Sequence, residues 1–328
     1  MMHARTDYIL RSKLMMLDRH QLEAFAAVVE TLSFERAAER LNVTRGAISQ
    51  RVKALEEALS TVLLVRDKPL ALTAVGEVLL KHVVAIRLLE ADTYSQVRPH
   101  GVEGRGMMPL AIGVDAHSID TWFSAVAQRL IERNTVELEI VVDDADPAFP
   151  VLTRGEIIGC VSTVPRPARG CAATLIGTMP YRCVASPAFM LRYFCKGFTL
   201  HSATSAPAVL LGKRTAMLDR YLDTVFGVAA ARYRKNFLPS AASQFEAIVA
   251  GVGYGLLPEQ TVRSRLASGE LVDVMRHMPL HVTLYWHHWR AAPPVCEAIS
   301  SDIVNSAREI LQMSGAEVAS HATAPTTP

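Results

Sequence analysis

The side chains with the clearest chemistry sit together between Thr44 and Lys53, in the order Thr44-Arg45-Gly46-Ala47-Ile48-Ser49-Gln50-Arg51-Val52-Lys53. Arginine and lysine neutralise phosphates, glutamine and serine reach base edges, and small residues such as Gly46 let a backbone enter a major groove. At ~100° per residue, Ile48, Val52, Leu55 and Leu59 share one stripe of a helix. Gly46, Gln50 and Lys53 then lie opposite, with Arg45 and Ser49 at the edge. Thr44 is a good N-cap for that helix. The chemistry would be the reading of duplex DNA. An ordinary amphipathic helix with a solvated basic face has the same pattern, so the flanking elements must decide.

Upstream, Phe34, Ala37, Ala38 and Leu41 recur on one helical stripe, and Asn42-Val43 form a turn before Thr44. Asp18 caps an earlier helix with a core stripe of Leu22, Phe25, Val28 and Val29. Downstream, residues 62–72 are two short apolar runs around a charged turn, a β-hairpin that Pro69 restricts to a sheet edge. Arg66 and Lys68 on that hairpin make it a wing beside a helix-turn-helix. From Thr73 to about Arg98 a long helix carries a heptad-like stripe of Leu79, Leu80, Val83, Ile86, Leu89 and Glu90. A single helix cannot hide such a stripe alone, so it is expected to pair with a second chain. Residues 100–106 read as a hinge.

Three helices, a wing and the Leu72-Thr73-Ala74-Val75-Gly76-Glu77 opening of a long helix resemble the DNA-binding domain of LysR-type transcriptional regulators over residues 17–98. The resemblance implies that Arg45, Ser49, Gln50 and the wing residues Arg66 and Lys68 contact DNA, with Thr44, Arg51 and Lys53 on the same surface. It also implies four partners: a double-stranded operator with an interrupted dyad, a small-molecule effector, a second copy of the chain as homodimer or tetramer, and RNA polymerase. Arg45-Gly46 stand where relatives usually have Gln with Ser or Pro, a departure at the reading end of the helix.

The remainder alternates strand and helix: strands at 110–114, 136–142 and 157–162, a second set from Tyr181, and a late strand at 280–286. That βαβ pattern reads as an open, mostly parallel sheet. It resembles the type II periplasmic-binding-protein fold that the family uses as its effector domain. The expected architecture is therefore α/β, with a winged helix-turn-helix (17–76), a linker helix and hinge (77–106) and a two-lobed effector domain (107–315). Lobe I takes 107–180 and 280–315, lobe II 181–279, and residues 1–16 and 316–328 read as disordered. Phe34-Glu35-Arg36-Ala37-Ala38, Leu63-Leu64-Val65-Arg66 and Tyr285-Trp286-His287 resemble the branch that regulates export of basic amino acids.

In open α/β sheets, ligands sit beyond the carboxyl ends of the strands. Those ends carry Asp115, then Asp143 and Asp144, then Ser162 and Thr163. Ser118 opens the following helix, where a hydroxyl and free N–H groups suit a carboxylate. Acidic groups on one wall and a helix start on the other fit a zwitterion with a cationic side chain, lysine or arginine. A solvated acidic loop with Asp115 as a mere cap is the plainer alternative.

The net charge is only +2 over 328 residues, so nucleic-acid affinity must come from local clustering. No apolar run approaches the ~20 residues of a membrane-spanning helix, and no apolar stretch follows the basic start. Five scattered cysteines suit reduced thiols in a cytoplasmic protein. Gly251-Val252-Gly253-Tyr254-Gly255 lacks the spacing of a phosphate loop, and His281, His287 and His288 lack metal spacing. No catalytic constellation, metal or cofactor is expected. Two other triggers remain open, an organic-acid or aromatic effector and thiol oxidation.

Overall fold

The computed structural model describes residues 17–65, 70–97, 108–132, 136–142, 151–152, 155–168, 170–213, 216–227, 233–290 and 292–315. The chain divides into two compact units, Met1–Leu88 and Leu89–Pro328.

In the first unit, three helices are started by three side-chain caps. Asp18 accepts from the Gln21 N–H at 3.0 Å to open α1 (Arg19–Thr31). Ser33 accepts from Arg36 N to open α2 (Phe34–Arg40), and Thr44 accepts from Ala47 N at 3.2 Å to open α3 (Arg45–Ala58). Asn42 takes the left-handed turn conformation between α2 and α3, which Asn tolerates better than most residues. Phe25, Val28, Ala37, Ile48, Val52 and Leu55 are fully buried in one core. Leu59 is the residue that ends α3 and is only partly buried.

The wing follows as β1 (Leu64–Val65) antiparallel to β2 (Ala71–Leu72), with Leu64 opposite Leu72. Glu56 of α3 accepts from the Leu63 N–H at 2.9 Å, tying the helix to the wing. Thr73 donates to Val62 O at 2.8 Å and accepts from Gly76 N at 3.0 Å, opening α4 (Ala74–Val97). Gly76 lies so close to the Leu63 carbonyl that a Cβ would collide with backbone.

Part of the stripe expected to pair α4 with a second chain is used within the first unit, while its Leu89 stays exposed. Leu79, Leu80 and Val83 are buried in the first unit's own core, with Ile86 packed against it. The hairpin and α1 supply the apolar partners the helix needs, so these residues are not left for another chain. Val75, Val78, His82 and Leu89 instead form the exposed face. Arg87 then clamps α4 to α1. It reaches Glu23 Oε2 and Glu30 Oε1, both at 2.5 Å, and Glu30 also holds Arg40 of α2 at 2.7 Å.

In the second unit, β3 (Met108–Val114) lies parallel to β4 (Val136–Val142) and to β5 (Gly159–Ser162). Helix α5 covers this part, starting as Ala116–Ser118, passing a π-helical turn at Ile119–Phe123 and continuing as Ser124–Glu132. The expectation of a mostly parallel sheet does not hold beyond these strands. β6 (Cys171–Ala185) is 15 residues long and antiparallel to β11 (Leu280–Trp289), which is antiparallel to β5. The second set of strands expected to begin at Tyr181 is thus the far end of a strand already under way. Gly177 and Pro180 within it interrupt the pattern of a continuous strand.

Beyond Tyr181, β6 leaves β11 and pairs with β9 (Gly255–Pro258) and β10 (Val272–Asp273). Between β6 and β10 come α6 (Pro187–Tyr193), α7 (Leu200–Ser205), β7 (Ala208–Leu211), α8 (Met217–Phe226), β8 (Lys235–Leu238), α9 (Ala241–Val249) and α10 (Glu259–Ser268). Strands β7 and β8 form a separate parallel pair. Helix α11 (Pro294–Gly315) packs back on β6, where Gly177 faces Leu311. Strand β6 therefore runs through two lobes, pairing with β11 in one and with β9 and β10 in the other. No helix among the described residues is long and apolar enough to cross a membrane.

The half-buried Arg87 clamp makes a direct prediction. Its hydrogen bonds hold the Glu23 carboxyl below the usual carboxylate range, so its stabilisation is complete at neutral pH and fades as acid protonates Glu23. Arg87→Met is expected to lower the stability of the first unit by about 1–2 kcal/mol at pH 7. Denaturant unfolding at pH 7 and in acid should show the difference shrinking as pH falls through the carboxylate range.

Candidate functional site

Two surfaces carry the candidate chemistry. On the first unit, Thr44, Arg45, Gly46, Gln50 and Lys53 are exposed along α3, with Ser49 and Arg51 half-buried at its two flanks. The buried stripe opposite them holds the helix so that this face is presented outward. Two carboxylates that residue counting passed over sit among these groups. Glu35 of α2 accepts from Arg45 Nε at 2.9 Å, and Glu57 pairs with Lys53 at 3.6 Å. The second is an i,i+4 pair that spacing alone reveals; the first depends on how two helices cross. Arg66 and Lys68 fall outside the described residues.

On the second unit, the parallel strands β3 and β5 end at one edge, bringing Asp115 and Ser162 to the same side. Asp115 is first of all a cap, because its Oδ1 accepts from Ser118 N at 3.0 Å. The helix-start amide expected to receive a ligand carboxylate is therefore already satisfied from within. The Ser118 hydroxyl is fully buried and has no hydrogen-bond partner among the described residues. Ser162 is buried and its hydroxyl accepts from Val164 N at 3.1 Å, while Thr163 beside it is half-exposed. Asp143 and Asp144 lie outside the described residues.

Three residues not anticipated from the sequence join the lobes. The Tyr181 hydroxyl is 3.2 Å from His117 Nδ1, and His117 Nε2 is 3.1 Å from Gln244 Oε1. The Gln244 amide nitrogen donates to Val209 O at 3.1 Å, so its oxygen must face His117 as an acceptor. His117 then carries its proton on Nε2, and Nδ1 accepts from Tyr181. Burial, with the nearby Asp115 charge, pushes the Tyr181 hydroxyl well above its ordinary pKa and keeps it a donor. This chain runs from the crossing strand β6, through the start of α5, to α9 in the far lobe. Single histidines, tyrosines and glutamines carry no spacing signal, which is why the sequence was silent on them.

Beside this chain, His117, Val209, Leu211, Met217, Gln244 and Leu256 line a cleft with about 20 Å³ of free space. A water needs roughly 10–15 Å³ and a ligand site runs to several hundred, so this space as it stands holds no more than a water. Among the described residues, no three His, Cys, Asp or Glu side chains gather as a metal site would require.

Comparison with known proteins matches both units. Residues 19–77 match the bacterial regulatory helix-turn-helix protein, lysR family, and residues 104–302 match the LysR substrate binding domain. The HTH-type transcriptional regulator ArgP of Pseudomonas fluorescens Pf-5 is 38% identical over 277 residues, 84% of this chain and 91% of that protein. The crystal structure of ArgP from Mycobacterium tuberculosis superposes with a TM-score of 0.80 at 36% identity, covering 89% of this chain and 98% of that one. Full-length LysG from Corynebacterium glutamicum, solved with bound effector Arg, superposes at 0.75 with 30% identity, covering 90% and 99%. The chain belongs to the LysR family of helix-turn-helix transcriptional regulators, a DNA-binding and effector-binding protein related to ArgP and LysG.

Proposed function

We propose that this regulator binds an interrupted-dyad operator through the outer face of α3 and the wing, and that lysine or arginine in the interlobe cleft sets its DNA affinity. The observation that carries the effector reading is the hydrogen-bonded chain through His117 and Gln244 that joins the two lobes, beside a buried Ser118 hydroxyl without a partner among the described residues. Arginine bound in the related LysG supports the ligand class. Asp115, Asp143 and Asp144 are assigned to the cationic side chain, and Ser118, Ser162 and Thr163 to the carboxylate end. The exposed α4 face with Val75, Val78 and Leu89 is the self-association surface, making the active species a homodimer or tetramer. RNA polymerase is the partner through which occupancy is read out. Control of basic amino-acid export in the cytoplasm is the biological role.

A second reading has one observation in its favour. The described cleft wall is largely apolar, with Val209, Leu211, Met217 and Leu256, which suits an aromatic or organic-acid effector. Thiol oxidation has less support. Cys160, Cys171, Cys183 and Cys296 are buried, and burial pushes Cys183 well up and Cys296 to about 12. The thiolate is the reactive form, so Cys183 and Cys296 are protected.

Titration of the full chain with lysine, arginine and norleucine separates the effector readings. Removing the right carboxylate, by Asp115→Asn, Asp143→Asn or Asp144→Asn, should weaken the basic ligands on the order of a hundredfold. Norleucine should bind poorly to the wild type. Equal binding of all three ligands sinks the basic-amino-acid reading and leaves the aromatic or organic-acid one.

For DNA, binding should need two half-sites on one face of the duplex and fall steeply with salt. Gln50→Ala should cost about 1–3 kcal/mol and relax one base position, whereas Lys68→Ala should weaken all sequences alike. Competition assays against single-base operator variants measure both, and full discrimination by the Gln50 variant contradicts the assignment of the reading face.

Gln244→Met tests the cleft. It strands a buried His117 N–H at a cost of about 1–3 kcal/mol. The ligand-free melting temperature should fall. The increment produced by saturating arginine should grow, because closure no longer competes as well with the ligand. Unchanged melting in both states would remove His117–Gln244 from the switch.

A further inference from the structure

Arg45 is the first residue of α3, where the positive end of the helix dipole disfavours a cation. Glu35, in the first turn of α2, meets it across the crossing of the two helices. The carboxylate is itself anchored: the Ser33 hydroxyl donates to its Oε2 at 3.2 Å, while Oε1 accepts from Arg45 Nε at 2.9 Å. Both side chains are more than half exposed, Arg45 at 69% and Glu35 at 58%. A pair so exposed contributes little to stability, and a carboxylate on a face meant for phosphates weakens general DNA affinity. Its effect is therefore on orientation. An arginine held by Nε still has Nη1 and Nη2 as a two-donor fork, which matches the O6 and N7 acceptors of guanine.

We propose that Glu35 is a specificity-determining positioning residue: it holds Arg45 by Nε and turns the remaining fork toward a guanine edge at one position of each half-site. This rests on the reading of α3's outer face as the DNA-facing surface. It also gives the Arg45-Gly46 departure a role. The base contact at this end of the helix is an arginine–guanine contact made on a neighbouring carboxylate, and Gly46 beside it adds no side chain to obstruct the approach.

The test uses the full-length chain and selection of bound duplexes from a randomised pool, with thermal unfolding of each variant as a control for folding. Wild type should select a guanine at one position per half-site. Arg45→Lys keeps the charge, loses the fork and should lose that preference by about tenfold or more. Glu35→Gln should reduce preference at the same position by about threefold while tightening binding to mixed-sequence DNA, two shifts of opposite sign. Added to Arg45→Lys, Glu35→Gln should change base preference no further. Loss of both specificity and general affinity in Glu35→Gln, with a lowered melting temperature, would make Glu35 merely structural. A change at a different position would mean that Glu35 contacts a base itself, for example a cytosine amine, and would overturn the proposal. Unchanged base preference in Arg45→Lys would overturn it together with the reading of the face.

Discussion

Strand β6 runs through both lobes of the second unit, and that continuity limits how the lobes can move. It is hydrogen-bonded to β11 as far as Tyr181 and to β9 and β10 beyond it, so the lobes cannot separate without breaking a ladder. The strand changes partner at Tyr181, from β11 on one side to β9 on the other. Tyr181 is also the residue whose hydroxyl reaches His117. The place where β6 changes partner and the place where side chains tie the lobes together are thus the same residue.

The first unit depends on comparable restraints made through backbone. Glu56 fastens α3 to the wing, Thr73 fastens the wing to α4, and Arg87 fastens α4 to α1 and, through Glu30, to α2. The exposed face of α3 is therefore carried on a set of contacts none of which uses a residue from that face. The two sides of the helix are separated, with Ile48, Val52 and Leu55 inside and Gln50 and Lys53 outside.

Local signals were legible in the chain and cross-chain ones were not. Asp18 and Thr44 sit where their side chains cap α1 and α3, and the apolar stripe of α3 is inside, because caps and periodicity act within a few residues. The α4 stripe was read correctly as apolar, but Leu79, Leu80 and Val83 go into the first unit's own core, since periodicity says that a face is buried and not by what. The length of β6 was missed because Gly177 and Pro180 interrupt the pattern of a strand that is set by its neighbours on either side. Gln244, Tyr181 and Glu35 were invisible for the same reason. Each matters through a partner on another element, 127 positions away in the case of His117 and Gln244.

The π-helical turn at Ile119–Phe123 has a mechanical consequence. Ser118, Trp122, Val126 and Leu130 are all buried, recurring every fourth residue. On a regular 3.6-residue helix, a repeat of four winds away from its starting side by ~40° each turn. A wider turn takes up part of that winding, so the residue at the cleft and the residues against the sheet stay more nearly in phase. The wide turn makes α5 a keel, one continuous buried edge from Ser118 through Trp122 and Val126 to Leu130 set into the lobe.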